Sequence, residues 1–323
     1  MPVVLSATAL ALALALAVFI GRTPRALRRR FSTGEQQPLP PAWVASGYAI
    51  LGLLTLGLLW PATTLDQALP LVGGQNFLNL IEALTATAGF WYLRDAIRLY
   101  SGDREPGQIR YLVLIAAVLT GFFMAIPNRE GPTETFIDEH LASLACWVYI
   151  SLYMIGLLWI SLSSLFSALP RRNAVAGRLF IAGFSLVIAA AIADLVYTAI
   201  GHFAGELTPL GSAFFLAFQL LFYPGMITII VGYVLAGVSR TLWRYSAWQL
   251  ERMLGTPSSL SLIKRMVQAP DPLDHAYGLT IEIQNRLMNE TLQLTGAESR
   301  RFRRTERWIA RTTLNPSGRT WNE

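Results

Sequence analysis

Seven apolar runs occupy the first three quarters of the chain, with short polar segments between them: Pro2 to Ile20, Trp43 to Trp60, Asn76 to Leu93, Tyr111 to Ile126, Leu141 to Leu169, Leu179 to Ile200 and Phe214 to Val238. An α-helix rises 1.5 Å per residue, so about 20 residues cross a hydrocarbon core about 30 Å thick. The pattern predicts an all-α polytopic membrane bundle of seven transmembrane helices over residues 1–239. The fifth run is longer than a crossing needs, so it tilts or its last turns around Ser161 to Ser167 project into water. Pro224 and Gly225 interrupt the seventh near its middle, where the missing backbone hydrogen bond predicts a static kink in preference to a hinge.

From Arg240 the pattern becomes amphipathic and predicts a small helical cytoplasmic tail over residues 240–323. Leu242, Trp243, Leu250, Met253 and Leu254 alternate with charged residues, as in a helix continuing from the last span. A short helix over Ser258 to Val267 is expected next. The longest tail helix is expected over Asp274 to Leu294, its apolar face made by Tyr277, Ile281, Leu287, Met288 and Leu292, with Ile283 and Leu294 beside them. Gly296 should end it. A last helix from Glu298 to Leu314 would set Arg300, Arg301, Arg303, Arg304, Arg307 and Arg311 around Phe302, Trp308 and Ile309.

Composition sharpens this picture. The chain is 53% hydrophobic and 14% charged, against about 25% charged in an ordinary soluble domain, which argues against a soluble enzyme. Cys146 is the one cysteine, so the chain alone supplies no disulfide framework, thiolate zinc site or iron–sulfur cluster. Charge sets an orientation. The loops after the first, third and fifth runs hold Arg22, Arg25, Arg28, Arg29 and Arg30, then Arg94, Arg98, Arg104 and Arg110, then Arg171, Arg172 and Arg178. The alternate loops hold only Arg129. Basic residues are retained on the cytoplasmic face, so the N-terminus is expected outside and the tail inside. Arg22 follows the first run instead of preceding it, the mark of an uncleaved span and not of a secretory signal.

Two carboxylates interrupt the apolar runs, Glu82 in the third and Asp194 in the sixth. Each lies about six residues, or roughly 9 Å, from the outer end of its helix, so both are expected at one depth and able to face each other. Asn79 shares the face of Glu82, and Gln219 in the seventh run lies at comparable depth. The functional reading of these four is a ligand- or proton-binding site, and the competing one is interhelical hydrogen bonding that fixes packing. His140, beside Asp138 and Glu139, and His202 form a weak metal or pH-sensing signal, so no metal site and no cofactor is expected. Cys146 reads as a small packing residue. The six arginines of the last helix are candidates for contact with the membrane surface, through anionic lipid, or with a cytoplasmic protein. Nucleic acid ranks below both because the membrane is adjacent.

The Leu242-Trp243-Arg244 run and the segment Tyr277-Gly278-Leu279-Thr280-Ile281-Glu282-Ile283-Gln284-Asn285-Arg286-Leu287 resemble a group of actinobacterial seven-span membrane proteins with a helical cytoplasmic C-terminal domain, usually catalogued as candidate transporters. The resemblance implies a plasma-membrane location and supplies no site residues. The leading expectation is a sensor, signalling or scaffold protein that presents a cytoplasmic helical module. A small-solute or proton-coupled transporter using Glu82 and Asp194 is the alternative, and a homo-oligomer would suit it. No nucleophile–base pair or metal motif points to an enzyme.

Overall fold

The computed structural model describes residues 9–10, 12–21, 23, 39–55, 61–69, 72–102, 107–204, 208–255 and 272–313. Among these, every regular element is helical. The elements are α1 (Leu12–Gly21), α2 (Pro41–Thr55), α3 (Ala62–Gln67), α4 (Phe77–Ser101), α5 (Ile109–Met124), α6 (Phe136–His140), α7 (Leu144–Ala168) with a closing 3-10 turn, α8 (Val175–Ala204), α9 (Pro209–Met253), α10 (Pro272–Met288) and α11 (Gly296–Thr313). The arginines at 25–30 and the expected helix Ser258 to Val267 lie outside the described residues.

Among the described residues, three helices are long and apolar enough to cross a membrane: Leu144–Arg171, which is α7 with its 3-10 turn, then α8 and α9. The expected seven crossings are therefore met in part. The 16 residues of α5 rise only about 24 Å. The 25 residues of α4 are long enough, but Glu82, Arg94, Asp95 and Arg98 lower their hydropathy.

Contacts divide the chain into two compact units, Met1–Gly232 and Tyr233–Glu323. In the first, α4 packs against α2, α5 and α7, and α7 packs against α8. A core forms where α4, α5, α6 and α7 meet, from Leu80, Ala83, Leu119, Phe123, Phe136, Cys146 and Tyr149 among others. Ser161 and Ser164 are fully buried on α7, so this face of its last turns packs against protein. Between α8 and α9 the backbones approach closely. A Cβ on Gly183 would stand 2.6 Å from Ile229 Cγ1 and 2.9 Å from the Gly225 carbonyl oxygen. Gly225 therefore serves helix contact, and α9 continues through Pro224.

Buried charge anchors α4 at both ends. Asp66, 2% exposed, accepts the backbone N–H groups of Gly74 (3.1 Å) and Asn76 (2.9 Å) on Oδ2 and that of Leu78 (2.8 Å) on Oδ1. These donors have no partner within the helix, and a carboxylate at the positive end of the dipole suits them. Asn76 adopts the left-handed conformation at φ 57°. Its side chain donates to the carbonyls of Arg129 (2.9 Å) and Gly131 (3.2 Å) and accepts from Thr133 N–H (3.0 Å), which ties the two loops together.

The other end of α4 runs on past the expected Leu93 to Gly102, whose φ of 101° stops it. Arg94 and Arg98, expected in a loop, thus belong to the helix. Arg94 is buried, paired with Asp95 at 2.9 Å, and its guanidinium lies 3.7 Å from the centre of the Trp91 ring. Asp95 also accepts the Gly107 N–H at 3.2 Å.

The second unit has its own core, from Trp243, Ala247, Leu250, Met253 and Leu254 of α9 and the segment after it, Ala276 and Ile283 of α10, and Phe302 and Ile309 of α11. Trp243 and Trp308 stack with centroids 3.8 Å apart. Three expectations are corrected. The buried face of α10 is Ala276, Leu279, Ile283 and Leu287, whereas Tyr277, Ile281 and Met288 are exposed. The helix also ends at Met288, before Leu292 and Leu294. Glu290 takes a left-handed φ of 57°, Thr291 N–H reaches the Arg286 carbonyl, and Glu290 N–H reaches that of Leu287, which is a Schellman stop. Gly296 opens α11 instead of closing α10. Thr295 and Glu298 form a capping box, with Thr295 N–H donating to Glu298 Oε2 (2.9 Å) and Glu298 N–H to Thr295 Oγ1 (3.3 Å).

Candidate functional site

In the first unit α4, α7, α8 and α9 bring polar side chains together. Glu82 sits half-buried on α4, one turn beyond Asn79. Tyr149 of α7 donates its hydroxyl to the Asn79 carbonyl at 3.0 Å, so α7 is strapped to α4 beside Glu82. The Asn79 side chain makes only a long contact of 3.5 Å to the Asn76 carbonyl. One turn after Tyr149, Tyr153 lies within electrostatic range of both Glu82 and Asp194. Tyr223 of α9 also lies within electrostatic range of Glu82.

Asp194 of α8 is 6% exposed, and its Oδ2 has no hydrogen-bond partner among the described residues. A carboxylate without donors in apolar surroundings calls for a proton or a cation. The acidic group that interacts electrostatically with Asp194 is Asp138. Three residues on from Asp194, Tyr197 donates to Asp138 Oδ1 at 2.6 Å. Asp138 is exposed.

The carboxylates expected to face each other thus make no mutual hydrogen bond among the described residues. Among these side chains the one hydrogen bond is Tyr197 to Asp138; Tyr153 lies within electrostatic range of Glu82 and Asp194, and Asp138 within that of Asp194. Gln219 is half-buried and, among the described residues, no hydrogen bond joins it to these groups; Tyr223, one turn on, is within electrostatic range of Glu82. Tyr197 shares a helical face with Asp194 in the sequence, whereas Tyr149, Tyr153 and Tyr223 were not singled out. The signal for two of them was spacing, since Tyr149 and Tyr153 are one turn apart on α7.

The histidines serve as loop staples. Both ring nitrogens of His140 meet carbonyls, of Phe136 (2.9 Å) and Asn128 (3.1 Å). His202 Nδ1 meets the Leu141 carbonyl at 2.8 Å, and its ring stacks on Trp147 with centroids 4.8 Å apart. Among the described residues, no group of three or more His, Cys, Asp or Glu side chains could hold a metal ion. Cys146 is fully buried within the core of the first unit.

In the second unit Phe302, Thr305 and Ile309 turn α11 inward, and Arg300, Arg301, Arg303, Arg304 and Arg307 are all exposed. These arginines and the first turn of the helix line an open depression of about 780 Å³. The Arg311 side chain lies outside the described residues. Glu298 is held below the usual carboxylate range by the Thr295 hydroxyl and N–H and by the nearby charge of Arg301. No family model, curated protein or solved structure matches the chain.

Proposed function

We propose that this is a bacterial plasma-membrane protein of seven crossings, with its N-terminus outside, whose intramembrane carboxylates take up a proton or cation and whose cytoplasmic helical module passes the event on. The observation that carries the reading is Asp194, which is buried with an Oδ2 unpartnered among the described residues, and which lies within electrostatic range of the exposed Asp138 that Tyr197, three residues on, holds by a hydrogen bond. α9 supports a signalling role, because this one helix supplies Tyr223, within electrostatic range of Glu82, and, further on, Trp243 to the second core.

The test uses the full chain reconstituted in liposomes. Hydrogen exchange across α10 and α11 is followed while the pH and the cation on the Asp138 side are changed. Sensing predicts a change in exchange that disappears in Asp194→Asn and Glu82→Gln, with no net solute uptake. Unchanged exchange under every condition would refute it. Protonophore-sensitive uptake of a metabolite, lost in both variants, would instead favour the transporter, a reading that draws on the same carboxylates and hydroxyls. Orientation is tested separately on intact cells in a Cys146→Ala background. A cysteine at Thr133 should react with an impermeant maleimide and one at Ala297 should not.

A further inference from the structure

We infer that the arginine face of α11 docks on an anionic phospholipid surface. Arg300, Arg303, Arg304 and Arg307 follow the i, i+3, i+4, i+7 spacing of a single helical stripe, and all four are exposed. None makes an ion pair with an acidic side chain among the described residues; Arg307 Nε donates instead to the Arg303 carbonyl. Like charges three and four residues apart weaken a helix, so an uncompensated stripe implies an anion supplied from outside the unit.

The sequence concentrates charge here. Residues 233–323 hold 13 of the 26 basic side chains and eight of the 20 acidic ones. The opposite side of the helix is committed to the core through Phe302 and Ile309, so the stripe cannot turn inward. Guanidinium groups match phosphate oxygens with paired hydrogen bonds, and the arginines line an open depression of about 780 Å³. Lipid is favoured over nucleic acid or an acidic protein because the unit is covalently continuous with α9, which is long and apolar enough to cross a membrane. That continuity confines the arginines near a bilayer, where phosphate is present at high effective concentration. The inference does not depend on the carboxylates.

The full chain, carrying a fluorophore on Ala297→Cys in a Cys146→Ala background, is placed in nanodiscs of phosphatidylcholine alone or of phosphatidylcholine with phosphatidylglycerol. Each disc also contains a lipid spin-labelled at its headgroup. Each arginine at an anionic surface is worth about fivefold in occupancy, so quenching should be at least several-fold stronger in the anionic discs. It should fall to the neutral-disc level at high salt and in the Arg300→Gln/Arg303→Gln/Arg304→Gln/Arg307→Gln variant. The salt arm uses the unmutated stripe and so decides the matter even if that variant misfolds. Equal quenching in the two discs overturns the proposal, as does quenching that survives high salt. Release of the fluorophore from anionic discs by an RNA oligonucleotide or a polyglutamate peptide shows a preferred partner of another class and overturns it too.

Discussion

Replacing Asp66 by alanine removes one small side chain and should loosen the whole start of α4. Its carboxylate accepts three N–H groups, and two of these belong to the buried residues Asn76 and Leu78, 2% and 6% exposed. Gly74 is partly exposed, so its N–H regains water. Stranding a buried donor costs about 1–3 kcal/mol, which puts Asp66→Ala at about 2–6 kcal/mol. Asp66→Asn should recover about half of that. Its one carbonyl oxygen can keep the bonds to Gly74 and Asn76, while its amide turns a donor toward the Leu78 N–H. Asn76→Ala should add little to Asp66→Ala, because both side chains hold the same pair of loops and their losses are coupled. The assay is reversible unfolding of the purified full chain in mixed micelles, followed by tryptophan fluorescence and circular dichroism. A loss below about 1 kcal/mol in Asp66→Ala would show that water replaces the carboxylate, and the anchoring argument would fail.

At the far end of α4, Asp95→Ala leaves Arg94 buried without its partner and should cost about 3–5 kcal/mol in the same assay. A loss under about 1 kcal/mol would mean that the Trp91 ring suffices. Ile283→Asp buries a charge in the second core and should destabilise that unit by about 3–5 kcal/mol, seen as rapid limited proteolysis. Ile281→Asp on the exposed side should leave cleavage unchanged; equal effects would refute the assigned face. Gly183→Ala should cost about 1–3 kcal/mol, since its Cβ meets the Gly225 carbonyl and α8 and α9 must part. Wild-type stability would contradict that close approach. The capping box carries a pH dependence of definite sign. Because the folded Glu298 pKa is lowered, its contribution is present above the ordinary carboxylate value of 4.5 and is lost as the pH falls through the folded value. Hydrogen exchange at the start of α11, corrected for intrinsic rates, should accelerate over that window in wild type and not in Thr295→Ala.

The apolar runs by themselves determined that the chain is helical, that several segments have the length and hydropathy of membrane spans, and that an amphipathic tail follows. These properties are written in local periodicity, and neighbouring side chains are enough to read them. The arginine stripe of α11 was legible for the same reason, being a pattern on a single helix. Rotation and termination were less legible. Ala276 outcompetes Tyr277 for the core of the second unit because a small side chain allows close packing, and the stop at Met288 depends on Glu290 entering a left-handed conformation that composition does not announce.

Only the tertiary structure decided what the charged residues do. Asp66 appears in the sequence as one more acid in a polar loop, yet it is buried and caps a helix that begins eleven residues later. Arg94 looks like a loop charge, yet α4 continues past it and buries it against Trp91 and Asp95. Glu82 and Asp194 were visible as carboxylates within apolar runs, but that Tyr153 of α7 lies within electrostatic range of both is set by the packing of three helices, which no single-helix pattern discloses. A carboxylate's partners come from elsewhere in the chain. Its chemistry is therefore set by packing between helices, and the sequence discloses only that the group needs partners.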